Sequence, residues 1–254
     1  MKFEELEARF RARESRDEVK LKFEGWVIAR LDGRSFTRLT KHSLDLEKPF
    51  DVRFHEAMKG TVAHLFECGF AVRLGYSQSD EISLLFERHE RAFDGKTRKW
   101  LSVLAGEASA AFSLHMGSIS AFDCRLLEFE EEETVVDYFR WRQSDAWCNA
   151  LSAHCYWILR EQKLSPNEAT KRISKLSIIQ KRVILEENGL DIESRPLWQR
   201  RGFVAHWQEF EKVGFNPRSQ VETRAIRKRL VLETELPDGN EFGTWLGRVI
   251  ESAR

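Results

Sequence analysis

Apolar residues fall along the chain at two spacings, and the switches between them outline the elements. Trp26, Val27, Ile28, Ala29 and Leu31 form a nearly unbroken apolar run that stops at Asp32-Gly33, the pattern of a buried strand. From Asp51, an expected N-cap, Phe54, Ala57, Met58, Thr61, Val62, Leu65 and Phe66 recur at helical spacing as far as Cys68-Gly69. Gly69 is placed to terminate that helix in the left-handed conformation. Two short apolar runs, Phe70 to Leu74 and Ile82 to Phe86, then flank Gly75 to Asp80, which predicts a hairpin with a polar, exposed turn over that stretch. Trp100, Leu101, Leu104, Ala108, Ala111 and Phe112 return to helical spacing, and Ser120 to Phe129 reads as a further strand.

The order β, α, β, β, α, β predicts a ferredoxin-like α+β fold, an antiparallel sheet with both helices on one face. The second half is more helical. Val135 to Glu161 is one helix, and Ser165-Pro166-Asn167-Glu168 opens another, with Ser as N-cap, Pro at the first helical position and Glu closing a capping box. A helix from about Ile178 ends near Asn188-Gly189, and Phe203 to Gln208 and Val221 to Glu233 read as strands. Residues 3 to 18 read as an exposed helix with a Glu7–Arg11 pair. No repeat or Pro/Ser-rich linker divides the chain, so residues 137–254 are expected to be integrated with residues 1–136.

Composition narrows the class. The 254 residues are 42% hydrophobic and 32% charged, and no apolar run approaches the length of about 20 that a membrane span needs. The first residues carry Glu4, Glu5, Glu7 and Glu14 where a signal peptide would be basic and then apolar, so a cytoplasmic protein is expected. Cys68, Cys124, Cys148 and Cys155 include no C-x-x-C pair and are expected to be reduced thiols. With 41 Lys+Arg against 41 Asp+Glu, the net charge of zero argues at first against a nucleic-acid partner. The balance conceals a segregation, because Arg160 to Leu230 hold 16 basic residues against nine acidic ones. Arg224, Arg227, Lys228 and Arg229 are the candidates there for contact with a phosphate backbone.

Two acidic motifs carry the candidate chemistry. Asp32-Gly33 ends the first strand and Ser79-Asp80-Glu81 lies in the hairpin turn, which the predicted topology brings beside it. Carboxylates without soft ligands suit Mg²⁺ or Mn²⁺, and two such ions can assist an in-line phosphoryl or nucleotidyl transfer. D-G and S-D are also common turn pairs, which leaves a solvated turn as the alternative.

The segments Ala29-Arg-Leu-Asp-Gly-Arg-Ser-Phe36, Lys48-Pro49-Phe-Asp51, Gly75-Tyr-Ser-Gln-Ser-Asp-Glu81 and Asp137-Tyr-Phe-Arg-Trp-Arg-Gln143, in that order, resemble the tRNA-His guanylyltransferase superfamily. A weaker likeness continues through Leu164 to Glu168, Lys181 and Arg201-Gly202. The resemblance implies a polymerase-palm-like catalytic core over residues 1–136 and addition of nucleotides to the 5′ end of tRNA in the 3′-5′ direction. ATP or GTP would activate the 5′-monophosphate, and the 3′-hydroxyl of an incoming nucleoside triphosphate would attack it. By the same resemblance Asp32, Gly33 and Asp80 hold two Mg²⁺ ions, and Glu81 and Ser79 complete the acidic motif. Arg34, Ser35, Phe36, Lys48, Lys96, Lys99 and Lys181 are then nucleotide-binding, and a homotetramer, a dimer of dimers, is implied. Lysine is a common point-charge ligand of phosphate, which agrees with the lysines named.

The chain departs from the guanylyltransferases proper after Gln143, where a His-Ile-Asn-x-x-Tyr signature is replaced by Trp147-Cys-Asn-Ala-Leu-Ser152 and only Asn149 is kept. That favours the guanylyltransferase-like branch, which resembles templated polymerases repairing 5′-truncated tRNA, over non-templated addition of G to tRNA-His. Two other classes stay open: another palm-fold enzyme such as a nucleotidyl cyclase, and a non-catalytic tRNA-binding module. Trp147, His154 and Cys155 read as packed side chains, Glu130 to Glu133 as a solvated helix start, and Arg140 and Arg142 receive no catalytic role.

Overall fold

The computed structural model describes residues 3–40, 44–216 and 221–252. β1 (Trp26–Gly33) pairs antiparallel with β3 (Glu81–Phe86) on one side and β4 (Phe122–Phe129) on the other. β2 (Val72–Gln78) forms a hairpin with β3, and β5 (Phe203–Asn216) and β6 (Val221–Glu233) extend the sheet to the order β4-β1-β3-β2-β5-β6. Side chains alternate across it, so each strand supplies two cores. Val27, Ala29, Leu31, Ile82, Leu84 and Phe86 face α3 (Val52–Leu65) and α4 (Thr97–Met116), the two helices expected to share one face. Trp26, Ile28, Leu74, Tyr76 and Leu85 face a second helical layer, α5 (Glu132–Glu161) and α9 (Gly239–Ser252).

With 30 residues, α5 extends about 45 Å and outruns the sheet. Its second half packs Leu151, Cys155 and Leu159 against α6 (Pro166–Ile173) and α7 (Ile178–Glu187), and the short α8 (Leu197–Arg201) leads back into β5. The capping box at Ser165 and Glu168 forms as expected, and a second one, at Ser177 and Gln180, opens α7. α1 (Phe3–Glu14) buries none of its residues, keeps the Glu7–Arg11 pair at 2.6 Å and ends before the expected residue 18. α2 (Phe36–Arg38) is a single turn after β1. The four cysteines are free thiols, and among the described residues no helix is long and apolar enough to cross a membrane.

Two expectations are corrected. The exposed turn over Gly75 to Asp80 contracts to Ser79 and Asp80, because β2 runs on to Gln78, with Ser77 1% and Gln78 6% exposed. These polar residues stay buried because they are bonded: Ser77 Oγ donates to the Glu81 carbonyl and Gln78 Nε2 to the Glu81 carboxylate, each at 2.9 Å. The strand expected to stop at Gln208 continues to Asn216. On β5 only Phe203 to His206 pair with β2, while the pairing with β6 runs on, so β5 and β6 form a two-stranded ribbon beyond the sheet.

Asp51 is the N-cap of α3, as expected, and also ties the loop before it. Its carboxylate accepts from the backbone N–H of Arg53 and of Glu47, both at 2.7 Å, and pairs with the Arg53 guanidinium at 2.6 Å. The Arg53 bond, then the backbone donors, hold its pKa down at about 2. A lowered carboxylate pKa contributes stability that is complete above the ordinary value near 4 and is lost as the pH falls through the folded value. Asp51→Ala should therefore cost about 1 to 2 kcal/mol at neutral pH, and the deficit against wild type should shrink between pH 4 and pH 2, as read by urea denaturation across pH.

Candidate functional site

On the face covered by α5 the sheet changes character toward one end. Trp26 and Ile28 of β1 give way to Arg30 and Asp32, Leu85 of β3 to Ser83 and Glu81, and Leu74 and Tyr76 of β2 to Gln78. Register places Glu81 between Asp32 on β1 and Gln78 on β2. One Glu81 oxygen accepts from Arg30; the other accepts from Arg142 of α5 and from Gln78 Nε2. Arg142 also reaches Asp145 at 2.9 Å, and Arg30 is 3.4 Å from Asp32. Tyr138, one turn earlier on α5, bonds Ser83 at 2.9 Å.

Asp32 and Asp80 are less fully compensated. The Gly33 N–H donates to the Asp80 carbonyl at 3.0 Å, which stitches the end of β1 to the hairpin turn. Ser79 adopts φ 51°, a left-handed conformation that costs a non-glycine residue about 1 kcal/mol, and its Oγ donates to Asp80 Oδ1 at 3.0 Å. Burial pushes the Asp80 carboxyl up to about 6, with the charges of Asp32 and Glu81 adding to it. Burial likewise raises Asp32, assisted by Glu81 and by Asp123, which lies directly across from it on β4. Gly33 has no room for a side chain, since a Cβ there would meet the Phe36 ring at 2.5 Å.

Among the described residues no group of three His, Cys, Asp or Glu forms a metal cage. The donor set fits instead a hard cation that takes one or two carboxylates and completes its shell with phosphate oxygens and water, the habit of Mg²⁺. Asp32 and Asp80 are the carboxylates available to it, because Glu81 is already bonded to two guanidinium groups.

A cavity of about 610 Å³ opens from Asp80 and Glu81 between the loop preceding α3 and the middle of α5. Ser79, Phe36, Lys48 and Lys181 line it, so the structure brings these four together with Asp80 and Glu81. Lys48 donates to the Thr40 carbonyl and sits 5.7 Å from the centre of the Trp157 ring; Lys181 donates to Ser152 Oγ at 2.9 Å. Trp198, stacked on His55 at 4.2 Å, and Asn149 add an aromatic and a polar wall. Acid at one end, two ammonium groups and apolar walls are the complement of a nucleoside triphosphate with its metal.

Other candidates lie elsewhere. Arg34 and Ser35 are exposed on the turn into α2, outside the cavity lining, and Asp32 and Gly33 adjoin the cavity through Glu81 and Asp80. The structure separates Lys96 and Lys99 from the centre. They begin α4, a helix of 20 residues, about 30 Å, which starts at the Phe86 end of the sheet and returns the chain to Phe122 at the Asp32 end. Lys96 pairs there with Glu18 at 3.1 Å.

The basic group on β6 is split by the strand alternation. Arg227 and Arg229 share one ribbon face with Phe210 and Lys212, whereas Arg224 and Lys228 lie on the other, 3.6 Å from Glu211 and Glu209. His154 and Cys155 are buried, Cys155 Sγ donating to the Lys181 carbonyl at 3.3 Å, and Trp147 packs against the α5–α7 core. Sequence reasoning missed Arg30, Arg142 and Gln78 as partners of Glu81. The legible signal was Arg30 two residues before Asp32, hence on the same strand face.

Residues 7–137 match the family described as tRNAHis guanylyltransferase, and residues 133–235 that described as Thg1 C terminal domain. The chain is 28% identical over 200 residues to the probable tRNA(His) guanylyltransferase of Bos taurus, covering 74% of this chain and 66% of that protein. It thus spans about two thirds of the length of such relatives. Among solved structures it is similar to a bacterial tRNA(His) guanylyltransferase (Thg1)-like protein in complex with GTP, with TM-score 0.73, 25% identity, and 97% and 99% of the two chains covered. A bacterial Thg1-like protein in complex with ATP gives TM-score 0.73 at 27% identity, over 96% and 99%.

The raised pKa of Asp80 has a stability consequence of opposite sign to that of the lowered pKa of Asp51. Its charged form is disfavoured on folding, so the cost is absent below the ordinary carboxylate pKa, develops as the pH rises toward 6 and is complete above it. Asp80→Asn should be more stable than wild type at pH 7.5 by about 1 to 3 kcal/mol and indistinguishable from it near pH 4, as read by chemical denaturation at the two pH values.

Proposed function

The chain belongs to the tRNAHis guanylyltransferase family, and from that membership we propose that it is a nucleotidyltransferase that adds nucleotides to the 5′ end of tRNA. The observation that carries this reading is the pair Asp32 and Asp80, held together by the Gly33–Asp80 bond at the mouth of a cavity that contains Lys48 and Lys181. Mg²⁺ bound by these two carboxylates would neutralise charge building on a phosphate under attack. The chain's own part is to position. Lys48 and Lys181 are placed for a triphosphate, and Trp157 and Trp198 offer aromatic walls to a base.

In the proposed sequence the tRNA 5′-phosphate attacks the α-phosphate of ATP or GTP and expels pyrophosphate. The 3′-hydroxyl of the incoming triphosphate then attacks the activated 5′-phosphate, losing its proton and expelling the nucleoside monophosphate. Two readings of the product have support. The names of curated relatives favour guanylyl addition to tRNA-His. The absence of His and Tyr from the segment Trp147 to Ser152 favours templated repair of a shortened 5′ end. The acid-free face of the β5–β6 ribbon, with Lys212, Arg227 and Arg229, is proposed as the RNA-binding surface, and a tRNA dwarfs the cavity enough to need one.

Incubating the protein with 5′-monophosphorylated tRNAs, full-length or lacking the first nucleotide, with each nucleoside triphosphate singly, and sequencing the 5′ ends tests both readings. G added to tRNA-His whatever base it faces supports guanylyl transfer, matched addition to the shortened tRNAs supports repair, and no addition in any mixture rejects the proposed activity. Asp32→Ala and Asp80→Ala should abolish addition while the fold is kept. Arg227→Ala with Arg229→Ala should weaken tRNA binding and flatten its salt dependence by about 0.7 to 0.9 in slope for each phosphate no longer neutralised, whereas Arg224→Ala with Lys228→Ala should change it little.

A further inference from the structure

Arg142 is 2% exposed in the first half of α5, and its guanidinium joins two carboxylates from different elements, Glu81 of β3 and Asp145 of α5 itself. Glu81 accepts that bond together with those from Arg30 and Gln78, three of the roughly four that a carboxylate can take, so a metal there would have to share it with two guanidinium groups. The Glu81 backbone is fixed as well, its carbonyl accepting from Ser77 Oγ at 2.9 Å and its position closing the hairpin opposite Gln78. Holding Glu81 therefore holds both stems of the Ser79–Asp80 turn. On the helix side, Asp145 accepts from Asn149 at 3.4 Å, and Ala146, Asn149, Ala150 and Ala153 form a wall of the cavity. One buried side chain thus spans the gap between the turn that presents Asp80 and the helix that shapes the cavity.

On the nucleotidyl-transfer reading given above, we propose that Arg142 is a positioning residue that locks the cavity wall to the Asp80 turn, and that Glu81 is its anchor and not a metal ligand. Removing the guanidinium leaves Glu81 with one cation and takes from Asp145 its guanidinium partner, so the turn is loosened and surplus negative charge accumulates beside Asp80. Removing the Glu81 charge at the same time relieves that excess. The defect of Arg142→Met should therefore be partly repaired by Glu81→Gln, a reversal that loss of a metal ligand could not produce.

The test compares wild type, Arg142→Met, Arg142→Lys, Glu81→Gln and the double variant Glu81→Gln/Arg142→Met. In the whole 254-residue chain without nucleotide, hydrogen exchange over residues 77–82 should be faster by about tenfold in Arg142→Met, intermediate in Arg142→Lys, and closer to wild type in the double variant. Wild-type exchange there in Arg142→Met, or in Arg142→Lys should the former not fold, overturns the lock whatever the protein catalyses. With tRNA and nucleotide, kcat should fall about ten- to a hundredfold in Arg142→Met while the nucleotide KM moves by less than about threefold, and the double variant should recover about tenfold. The Mg²⁺ concentration for half-maximal rate should be the same in the double variant as in wild type. A higher Mg²⁺ requirement whenever Glu81 is replaced makes Glu81 a metal ligand and overturns the proposal. Absence of nucleotide transfer by wild type, with the exchange pattern as expected, instead overturns the nucleotidyl-transfer reading and leaves the lock standing.

Discussion

Charge inside a sheet that is covered on both faces is the constraint from which the rest of the site follows. α3 and α4 seal one face and α5 and α9 the other, so a carboxylate on any central strand must be paired or must lie where the cover ends. Glu81 meets the first condition through Arg30 and Arg142. Asp32 and Asp80 meet the second, because the sheet runs out at their end and the cavity begins there. The location of the candidate site is therefore dictated by packing. At the Trp26 end of the same strands an unpaired acid would be buried beneath two helical layers.

Legibility in the sequence followed the same division. Runs packed on both faces were readable because burial forces unbroken apolarity, as in Trp26 to Ala29, and the caps at Asp51 and Ser165 were readable because orphan helix N–H groups demand particular side chains. Gly75 to Gln78 misled because polar residues usually signal exposure, whereas here Ser77 and Gln78 are buried by bonding to Glu81. The ribbon beyond Gln208 was illegible for the complementary reason. Two strands that bond mainly to each other need no apolar face, so Glu209 to Val213 carry no core signal. Lys96 and Lys99 were grouped with the site by resemblance alone, and the direction of α4, which periodicity does not reveal, carries them to the other end of the sheet.

The even charge balance is likewise resolved by geometry. Acids concentrate at the sheet end, where Asp32, Glu81 and Asp123 lie side by side on three strands, and like charges directly opposite one another weaken a sheet unless a cation intervenes. Bases concentrate on the ribbon, but only one face of it is free of acids, because the side-chain period of two sets Arg224 and Lys228 against Glu211 and Glu209. A count of basic residues along the sequence overstates the cationic surface, and register corrects it.

α5 joins the two family segments that can be drawn in the chain. Its first half packs Val135, Tyr138 and Phe139 against the sheet, and its second half packs Leu151, Cys155 and Leu159 against α6 and α7. The junction between the matched segments, residues 133–137, falls inside this single helix. A helix is stiff over its length, so the two cores are held in fixed register about its axis, and the cavity occupies the angle between them. Carboxylates come from the first half, and Lys181, Trp157 and Trp198 come from the second. Neither half carries the complete candidate site, which makes the packing between α5 and the sheet part of the proposed chemistry and not merely its support.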